Sequence, residues 1–421
     1  MTAPAANPGP SLSPDVEGLL RTTAPRALGV VVRRYGNFAE AEDALQEALL
    51  AAATSWPAAG VPDNPLAWMV RVASRRMADL HRSDDARRRR EDVAASWSRD
   101  PADPASGRDD TLALFFMCCH PSLSPASAVA LTLRAVGGLT TVEIASAFFV
   151  PEKTMAQRIS RAKRTVAEAG ARFELPDADT YAERLALVLR AVYLVFNESY
   201  TSTRGAELQR ADLSAEAIRL GRLLHDLRPD EPEVAGLLAL MLLTEARRPA
   251  RTTAGGALVP LSEQDRNLWD RGLIAQGTAL AAAALDHRPL GEYAAQAAVA
   301  ALHDAAAGYE DTDWTRIVSL YTALAAISDS PVVRLNRAVA IAMVEGPAAG
   351  LRLVDELDAS GALAGSHRVR AVRAHLLEQQ GDTEAARAEY VAAATASANT
   401  RERDYLTMRA AALRAAGGTP A

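Results

Sequence analysis

Wherever this chain shows a clear pattern of hydrophobic and polar positions, the period is that of a helix. The sharpest case is residues 138–166, GLTTVEIASAFFVPEKTMAQRISRAKRTV. Thr140 and Glu143 have the spacing of a capping box, which predicts a helix running through Ile144, Ala145 and Phe148. Phe149-Val150-Pro151 should stop it, and Pro151 suits the first position of the next helix. In that second helix Met155, Ile159, Ala162 and Val166 recur at i, i+4, i+7 and i+11, a face that must be buried. Lys153, Thr154, Gln157, Arg158, Arg161, Lys163 and Arg164 are left for the other faces. This is the pattern of a helix-turn-helix whose second helix suits a DNA major groove, its polar side chains reaching phosphates and base edges. The turn carries Phe149 where such turns usually hold Gly, so it must manage without a left-handed residue. The plainer alternative is an amphipathic helix with a solvated basic face.

Two more helices are predicted upstream. In NFAEAEDALQEALLAAATSW, Ala41, Ala44, Leu45, Ala48, Leu49 and Ala52 form the buried side, and Glu40, Asp43 and Glu47 the exposed one. An acidic face repels DNA, so it suits a basic protein partner or simply solvent. In NPLAWMVRVASRRMADLHRS, Asn64 and Pro65 open a helix by capping and by a preset φ. Leu66, Met69, Val70, Ala73, Met77 and Leu80 follow the helical period, and Trp68 amid them is expected in the core. Arg71, Arg75 and Arg82 line another face. With Arg76 and the Arg87–Arg90 run they make a stripe suited to phosphates, or a solvated arginine face.

Four parts emerge behind a flexible tail, residues 1–14. Residues 15–82 form a helical block, and the charge-rich stretch 83–108 reads as a linker. Residues 109–172 hold the helix-turn-helix, and an alanine-rich helical region runs from about 176 to 415. There Ala374, Leu377, Gly381, Ala386, Tyr390 and Ala393 occupy the small and large positions of one tetratricopeptide unit, two antiparallel helices meeting at a Gly turn. A weaker copy places Ala338, Ile341, Gly350, Val354 and Leu357 correspondingly, 36 residues earlier when Gly350 is set against Ala386. Between 176 and 310 the sequence predicts helices without a clean period. The expected fold class is all-α.

Hydrophobic residues make up 49% of the 421 but aromatics only 5%, which favours close-packed helices over sheets. The net charge of −6 means that any nucleic-acid surface must be local. Cys118 and Cys119 are the only cysteines, so no disulfide framework exists and a reducing compartment is the default. The opening MTAPAANPGPSLSP lacks the charged and apolar regions of a signal peptide. The longest apolar run, near 185–196, is broken by Arg190 and too short to span a bilayer. A soluble, cytoplasmic protein with no membrane partner is expected. Cys118-Cys119-His120 hints at a metal, but adjacent cysteines fit tetrahedral zinc poorly and the other histidines are dispersed, so neither metal nor cofactor is expected. No nucleotide-binding glycine loop or nucleophile elbow is present, and no enzyme is expected. Asn197 to Tyr200, and Gln264-Asp265-Arg266 with Trp269, are polar clusters in stretches read as helical. They suit a ligand pocket, and equally helix ends and inter-helix hydrogen bonds.

The order acidic helix, basic Trp-containing helix, polar linker and helix-turn-helix resembles the extracytoplasmic-function group of bacterial RNA polymerase sigma factors. The resemblance rests on AEDALQEALLAA (41–52), NPLAWMVRVASRRMADLHR (64–82) and TTVEIASAFFVPEKTMAQRISRAKRTV (140–166), and covers roughly residues 15–170. LFFMCCHPSLSP (114–125), with the long helical tail, resembles the subgroup that carries a tetratricopeptide-like C-terminal extension. The resemblance implies that residues 15–82 are sigma region 2, with Glu40, Asp43, Gln46 and Glu47 docking on the clamp helices of core RNA polymerase. Arg71, Arg75, Arg76 and Arg82 would approach the −10 element. Residues 109–172 would be region 4, with Lys153, Thr154, Gln157, Arg158, Arg161 and Arg164 on the −35 element of double-stranded promoter DNA. The C-terminal region would regulate activity by binding a protein or small-molecule effector. Two rivals are a helix-turn-helix regulator with a repeat sensor domain that does not replace sigma, and a C-terminal enzyme or scaffold with an incidental DNA anchor.

Overall fold

The computed structural model describes residues 14–88, 107–148, 150–200 and 211–417. The expected tail before Pro14, residue Phe149 of the turn and the linker from 89 to 106 lie outside the described residues. Within them the chain is helical, with one isolated antiparallel bridge between Thr252 and Leu258. It divides into two units, residues 1–194 and 195–421.

In the first unit α1 (Pro14–Tyr35), α2 (Phe38–Ala59) and α3 (Pro65–Arg88) pack together. The Asn37 side chain accepts from the amides of Ala39 and Glu40 to start α2, and Asn64 accepts from Ala67 to start α3. Leu28 and Val31 of α1 are fully buried between them, and so are Ala41, Leu45, Ala48, Met69, Ala73 and Met77, as the helical period of α2 and α3 predicts. Leu49 is only half-buried, and Glu42, two turns earlier on α2, is fully buried. Trp68 is half-buried and meets Trp56 edge-on, ring centroids 5.3 Å apart. Helix α3 continues to Arg88, so the expected linker from 83 begins as helix.

Helices α4 (Gly107–Cys118), α5 (Pro125–Ala135), α6 (Thr141–Ala147) and α7 (Glu152–Glu168) form a second layer in this unit. Helix α4 lies on α1 at Gly29, where a Cβ would stand 2.7 Å from the Asp110 Cβ, so the close approach requires glycine. Asp110 is buried there and accepts from Arg33 Nε at 2.6 Å. Helix α8 (Ala178–Tyr200) begins against the end of α4: Tyr181 meets Phe116 edge-on at 5.5 Å, and Arg184 donates to the Phe116 carbonyl at 2.8 Å. The two units divide at 194, inside α8, so the start of α8 belongs with α4.

The second unit contains α9 (Ala211–Leu227), α10 (Pro232–Ala246), α11 (Arg271–Leu285), α12 (Glu292–Ala305) and α13 (Trp314–Ile327). Helices α14 (Pro331–Glu345), α15 (Pro347–Ala359), α16 (His367–Gln380), α17 (Thr383–Ala396) and α18 (Thr400–Gly417) follow. Successive helices pair as hairpins, each packed on the next. The alanine and glycine content makes this spacing possible. A Cβ on Gly236 would come within 2.6 Å of the Ala294 amide, and one on Gly277 within 2.7 Å of Leu243, so α10 sits tightly between α11 and α12. Glu233 of α10 then accepts from the Tyr293 and Ala294 amides at 3.0 and 2.9 Å, capping the neighbouring helix.

The pair α16–α17 is the expected tetratricopeptide-like unit. It turns at Gly381, which has φ 88°, and buries Ala374, Ala386, Tyr390 and Ala393. Its large buried position is Leu376, while Leu377 is half-buried, a shift of one residue from the expected register. In α14–α15 all five expected positions, Ala338, Ile341, Gly350, Val354 and Leu357, are buried.

Candidate nucleic-acid interface

The helix-turn-helix is built locally. The Thr140 hydroxyl accepts from the Glu143 amide at 3.2 Å while the Glu143 carboxylate accepts from the Thr140 amide at 2.7 Å, completing the capping box. Helix α6 ends at Ala147, with Phe148 as its cap at φ −105°, so no left-handed residue is used there. The Val150 amide returns to the Ala145 carbonyl at 3.1 Å. Pro151 is the N-cap of α7 and not its first helical residue; its carbonyl accepts from Thr154 and Met155. Met155, Ile159, Ala162 and Val166 are buried, which fixes the roll of α7. Lys153, Thr154, Gln157, Arg161 and Arg164 are consequently exposed, and Arg158 is half-buried. Arg164 stands 3.6 Å from Glu168, an exposed i,i+4 pair that leaves it available.

Lys163 departs from the expected solvent-facing set. It is buried on the α2 side of α7, where its Nζ meets the Glu42 carboxylate and lies 2.6 Å from Asp43 Oδ1. Arg134 of α5 reaches the same Glu42 at 2.9 Å. Glu42, Arg134 and Lys163 thus form a buried ionic cluster that hydrophobic periodicity did not disclose. The one local signal was an acidic residue, Glu42, standing beside Ala41 and three before Leu45 in the buried stripe.

On α2, Asp43 and Glu47 are exposed and Glu40 and Gln46 half-buried. On α3, Arg71, Arg75 and Arg76 are exposed; the Arg82 side chain lies outside the described residues. Arg76 Nε is 3.0 Å from Glu47, so the basic stripe of α3 and the acidic face of α2 meet along one edge. Such an exposed pair contributes little to stability and yields readily to a partner.

Among the described residues no three His, Cys, Asp or Glu side chains converge as metal ligands, at Cys118-Cys119 or elsewhere. Both thiols are fully buried, which raises Cys118 and pushes Cys119 up to about 11, so neither supplies a thiolate. Cys119 instead contacts the Thr132 hydroxyl at 3.4 Å. Of the two polar clusters, Asn197 to Tyr200 is helical, but 264–269 is not: it lies in an irregular stretch with single turns of 3-10 helix. Arg266 organises it by donating to the carbonyls of His303 and Ala306 at 2.6 and 2.8 Å, at the end of α12. Its guanidinium also lies over the Trp269 ring, 4.5 Å from the centroid.

Beneath it, adjacent residues of α12 titrate in opposite senses. Burial, then the charges of Arg247 and Arg266, hold the His303 imidazole down at about 4. Burial raises the Asp304 carboxyl to about 6, against the pull of Arg247, 3.3 Å away. Between pH 6.5 and 4 the unfolded chain binds a proton at residue 303 that the folded unit refuses, so His303 removes stability as pH falls. Asp304 binds a proton in the folded unit first, so between pH 6 and 3.8 it adds stability as pH falls. The two nearly offset. Replacing His303 with Gln removes only the first, by roughly 3 kcal/mol across that window. The difference in melting temperature between variant and parent should therefore rise steadily from pH 6.5 to 4.5. A constant difference would show that His303 does not oppose acid.

Comparison with known proteins bears on all three parts of the chain. The family described as Sigma-70 region 2 matches residues 19–88, and Sigma-70, region 4, matches 116–166. A family of unknown function, DUF6596, matches residues 184–285. A protein of Rhizobium meliloti (strain 1021) called "Uncharacterized protein R00370" is 44% identical over 402 residues, covering 93% of this chain and 94% of its own length. Among solved structures, yeast Tom70 covers 96% of this chain and 86% of its own at 12% identity, with a TM-score of 0.37, a likeness too loose to bear on function. No described helix is long and apolar enough to cross a membrane.

Proposed function

We propose, because this chain belongs to the extracytoplasmic-function group of the sigma-70 family and carries a helical C-terminal extension, that it binds core RNA polymerase through α2 and starts transcription from its own promoters. Promoter recognition is the role of sigma-70 regions 2 and 4, which match α1–α3 and α4–α7. In this reading Arg71, Arg75, Arg76 and Arg82 of α3 approach the −10 element. Lys153, Thr154, Gln157, Arg158, Arg161 and Arg164 of α7 take the −35 element. The observation that carries it is the roll of α7. Four buried apolar residues turn five exposed polar ones outward as a single face. The acidic face of Glu40, Asp43, Gln46 and Glu47 is the docking surface for core enzyme. An acidic helix beside a basic one has no use in a regulator that only binds DNA, which disfavours the reading as a helix-turn-helix regulator.

Run-off transcription with core enzyme and this protein alone, on genomic fragments, tests the proposal. Reversing Glu47 to Arg adds the test of the docking face, since Glu47 is exposed and paired only at the edge with Arg76. A like-charge contact at an interface costs on the order of several kcal/mol, so the variant should lose co-purification with core enzyme while keeping its helical content. Transcription that still requires another sigma would leave only the regulator reading.

The C-terminal unit acts, in the same proposal, as a built-in control domain answering to a protein or small-molecule effector. Stacked helix pairs offer concave binding surfaces, and a groove lined by Arg334, Arg337, Leu353 and Glu356 is one such surface here. A covalently attached domain also works at high effective concentration, so weak interactions suffice for control.

A further inference from the structure

We propose that the C-terminal unit binds a small zwitterion, of the α-amino-acid class, in a buried polar site formed by Arg247, Arg266 and Asp304 at the end of α12. The binding does not depend on the sigma reading. Only its consequence for transcription rests on the control-domain reading above.

Three parts of the unit meet at this site. Arg247 caps the end of α10, Arg266 comes from the irregular stretch 264–269, and Asp304 stands in the last turn of α12. The charges they bring together are incompletely used. The Asp304 side chain has 0% exposure, yet neither of its oxygens accepts a hydrogen bond. Arg247 Nε lies 3.3 Å away as an ion pair without hydrogen-bond geometry, and it too is buried with no acceptor. Buried polar groups are nearly always hydrogen-bonded, and leaving one unpaired is destabilising. Burial moreover raises the Asp304 carboxyl to about 6, although Arg247, Arg266 and Arg271 all pull it down. A carboxylate in that state gains from a donor that reaches it, and from an ammonium group most. His303 beside it is held down at about 4, so at neutral pH it is uncharged and does not repel such a cation.

The anionic half of the ligand is read by Arg266. Its Nη1 donates to the carbonyls of His303 and Ala306 at 2.6 and 2.8 Å, and its guanidinium rests on the Trp269 ring. These contacts fix the group and leave Nη2 buried without an acceptor. A guanidinium held in place with one edge free is a carboxylate receptor that is ordered before its ligand arrives.

Both charges are needed on one molecule. An anion alone leaves Asp304 unpaired, and a cation alone leaves Arg266 unpaired. Because Arg247 and Asp304 stand only 3.3 Å apart, the ligand's charges must also lie close together, as they do around the α-carbon of an amino acid. Two further donors are unused nearby. The indole N–H of Trp314, whose ring meets His303 edge-on at 5.2 Å, is buried without an acceptor, and so is the Thr312 hydroxyl. They suit a side chain that accepts hydrogen bonds.

The test is calorimetry and thermal melting of the full chain with L-glutamine, L-glutamate and glycine, and with two half-ligands, acetate and ethylamine. At least one zwitterion should release or absorb heat on binding and raise the melting temperature as its concentration rises, while neither half-ligand does so. Asp304→Asn removes the charge facing the ammonium, and Arg266→Lys the fork facing the carboxylate. Each should weaken binding roughly tenfold or more. Melting without ligand shows whether each variant is folded; if one is not, the comparison of whole and half ligands on the unsubstituted chain still decides. Acetate binding as well as L-glutamate would reduce the site to a simple anion contact and overturn the proposal. No binding by any of the three zwitterions would leave the cluster to ordered water and overturn it equally. Binding that leaves run-off output unchanged would uphold the site and overturn its part in control. Binding by a chain that supports no run-off transcription would uphold the site and overturn only the sigma reading.

Discussion

Arg158→Ala with Arg161→Ala in the same chain should abolish most −35 affinity while leaving the fold intact. Both side chains lie outside the buried set of Met155, Ile159, Ala162 and Val166, so their removal opens no cavity in the core of the helix-turn-helix. Arg161 is exposed and Arg158 half-buried, which places them respectively at the tip and at the shoulder of the face proposed to enter the groove. A bidentate contact to a base edge is worth about 1–3 kcal/mol, so two such losses reach roughly 2–6 kcal/mol if they add. The salt dependence separates the two kinds of contact. A lost phosphate contact lowers the slope of log K against log salt by about one unit and weakens all sequences alike. A lost base contact leaves that slope and relaxes sequence preference at one position. Lys163→Gln supplies the contrast: its Nζ faces Glu42 and Asp43, so it should not weaken promoter binding. Unchanged binding by the double variant would remove α7 from the promoter interface.

What could be read from the sequence is what the chain specifies within a few turns of itself. The capping box at Thr140 and Glu143, the buried stripe of α7 and the Gly381 turn each depend on neighbours, and each is found where the pattern put it. Errors of one residue arise where two local rules compete. Pro151 satisfies either a cap or a first-turn position, and Leu376 or Leu377 can fill the same hole in a helix pair. The ionic cluster escaped for a different reason. Lys163 and Asp43 are 120 residues apart, and nothing in the period of α7 says that its one inward-facing lysine will find acids on α2. Gly29 against Asp110 is of the same kind, as is Arg266, whose two carbonyl acceptors end a helix nearly 40 residues away. Polar contacts between distant elements have no periodic signature, because a single residue suffices to make one.

The contacts of α8 with α4 are of the same kind, and they have a measurable consequence for truncation. A chain ending at Phe173 keeps all of α7 but loses Tyr181 and Arg184, which cover Phe116 at the end of α4. Uncovering an aromatic side chain of this kind costs about 1.5–3 kcal/mol, and its ring partner about 0.5–1.5 more. A chain ending at Leu194 keeps those contacts. The shorter fragment should be less stable by roughly 2–4 kcal/mol, and its loosened α4 should open Cys118 and Cys119 to thiol reagents. In the longer fragment both thiols stay buried and protonated, as they are in the full chain, and should react slowly. Equal labelling rates for the two fragments would mean that α8 is not part of the first unit. The longer fragment is then the proper vehicle for asking what the C-terminal unit does. With its fold intact, any change in run-off output relative to the full chain belongs to the loss of residues 195–421. The proposal of a built-in control domain requires such a change: a gain marks it as an inhibitor, a loss as an activator. Identical output, promoter choice and growth response would make the C-terminal half a passenger.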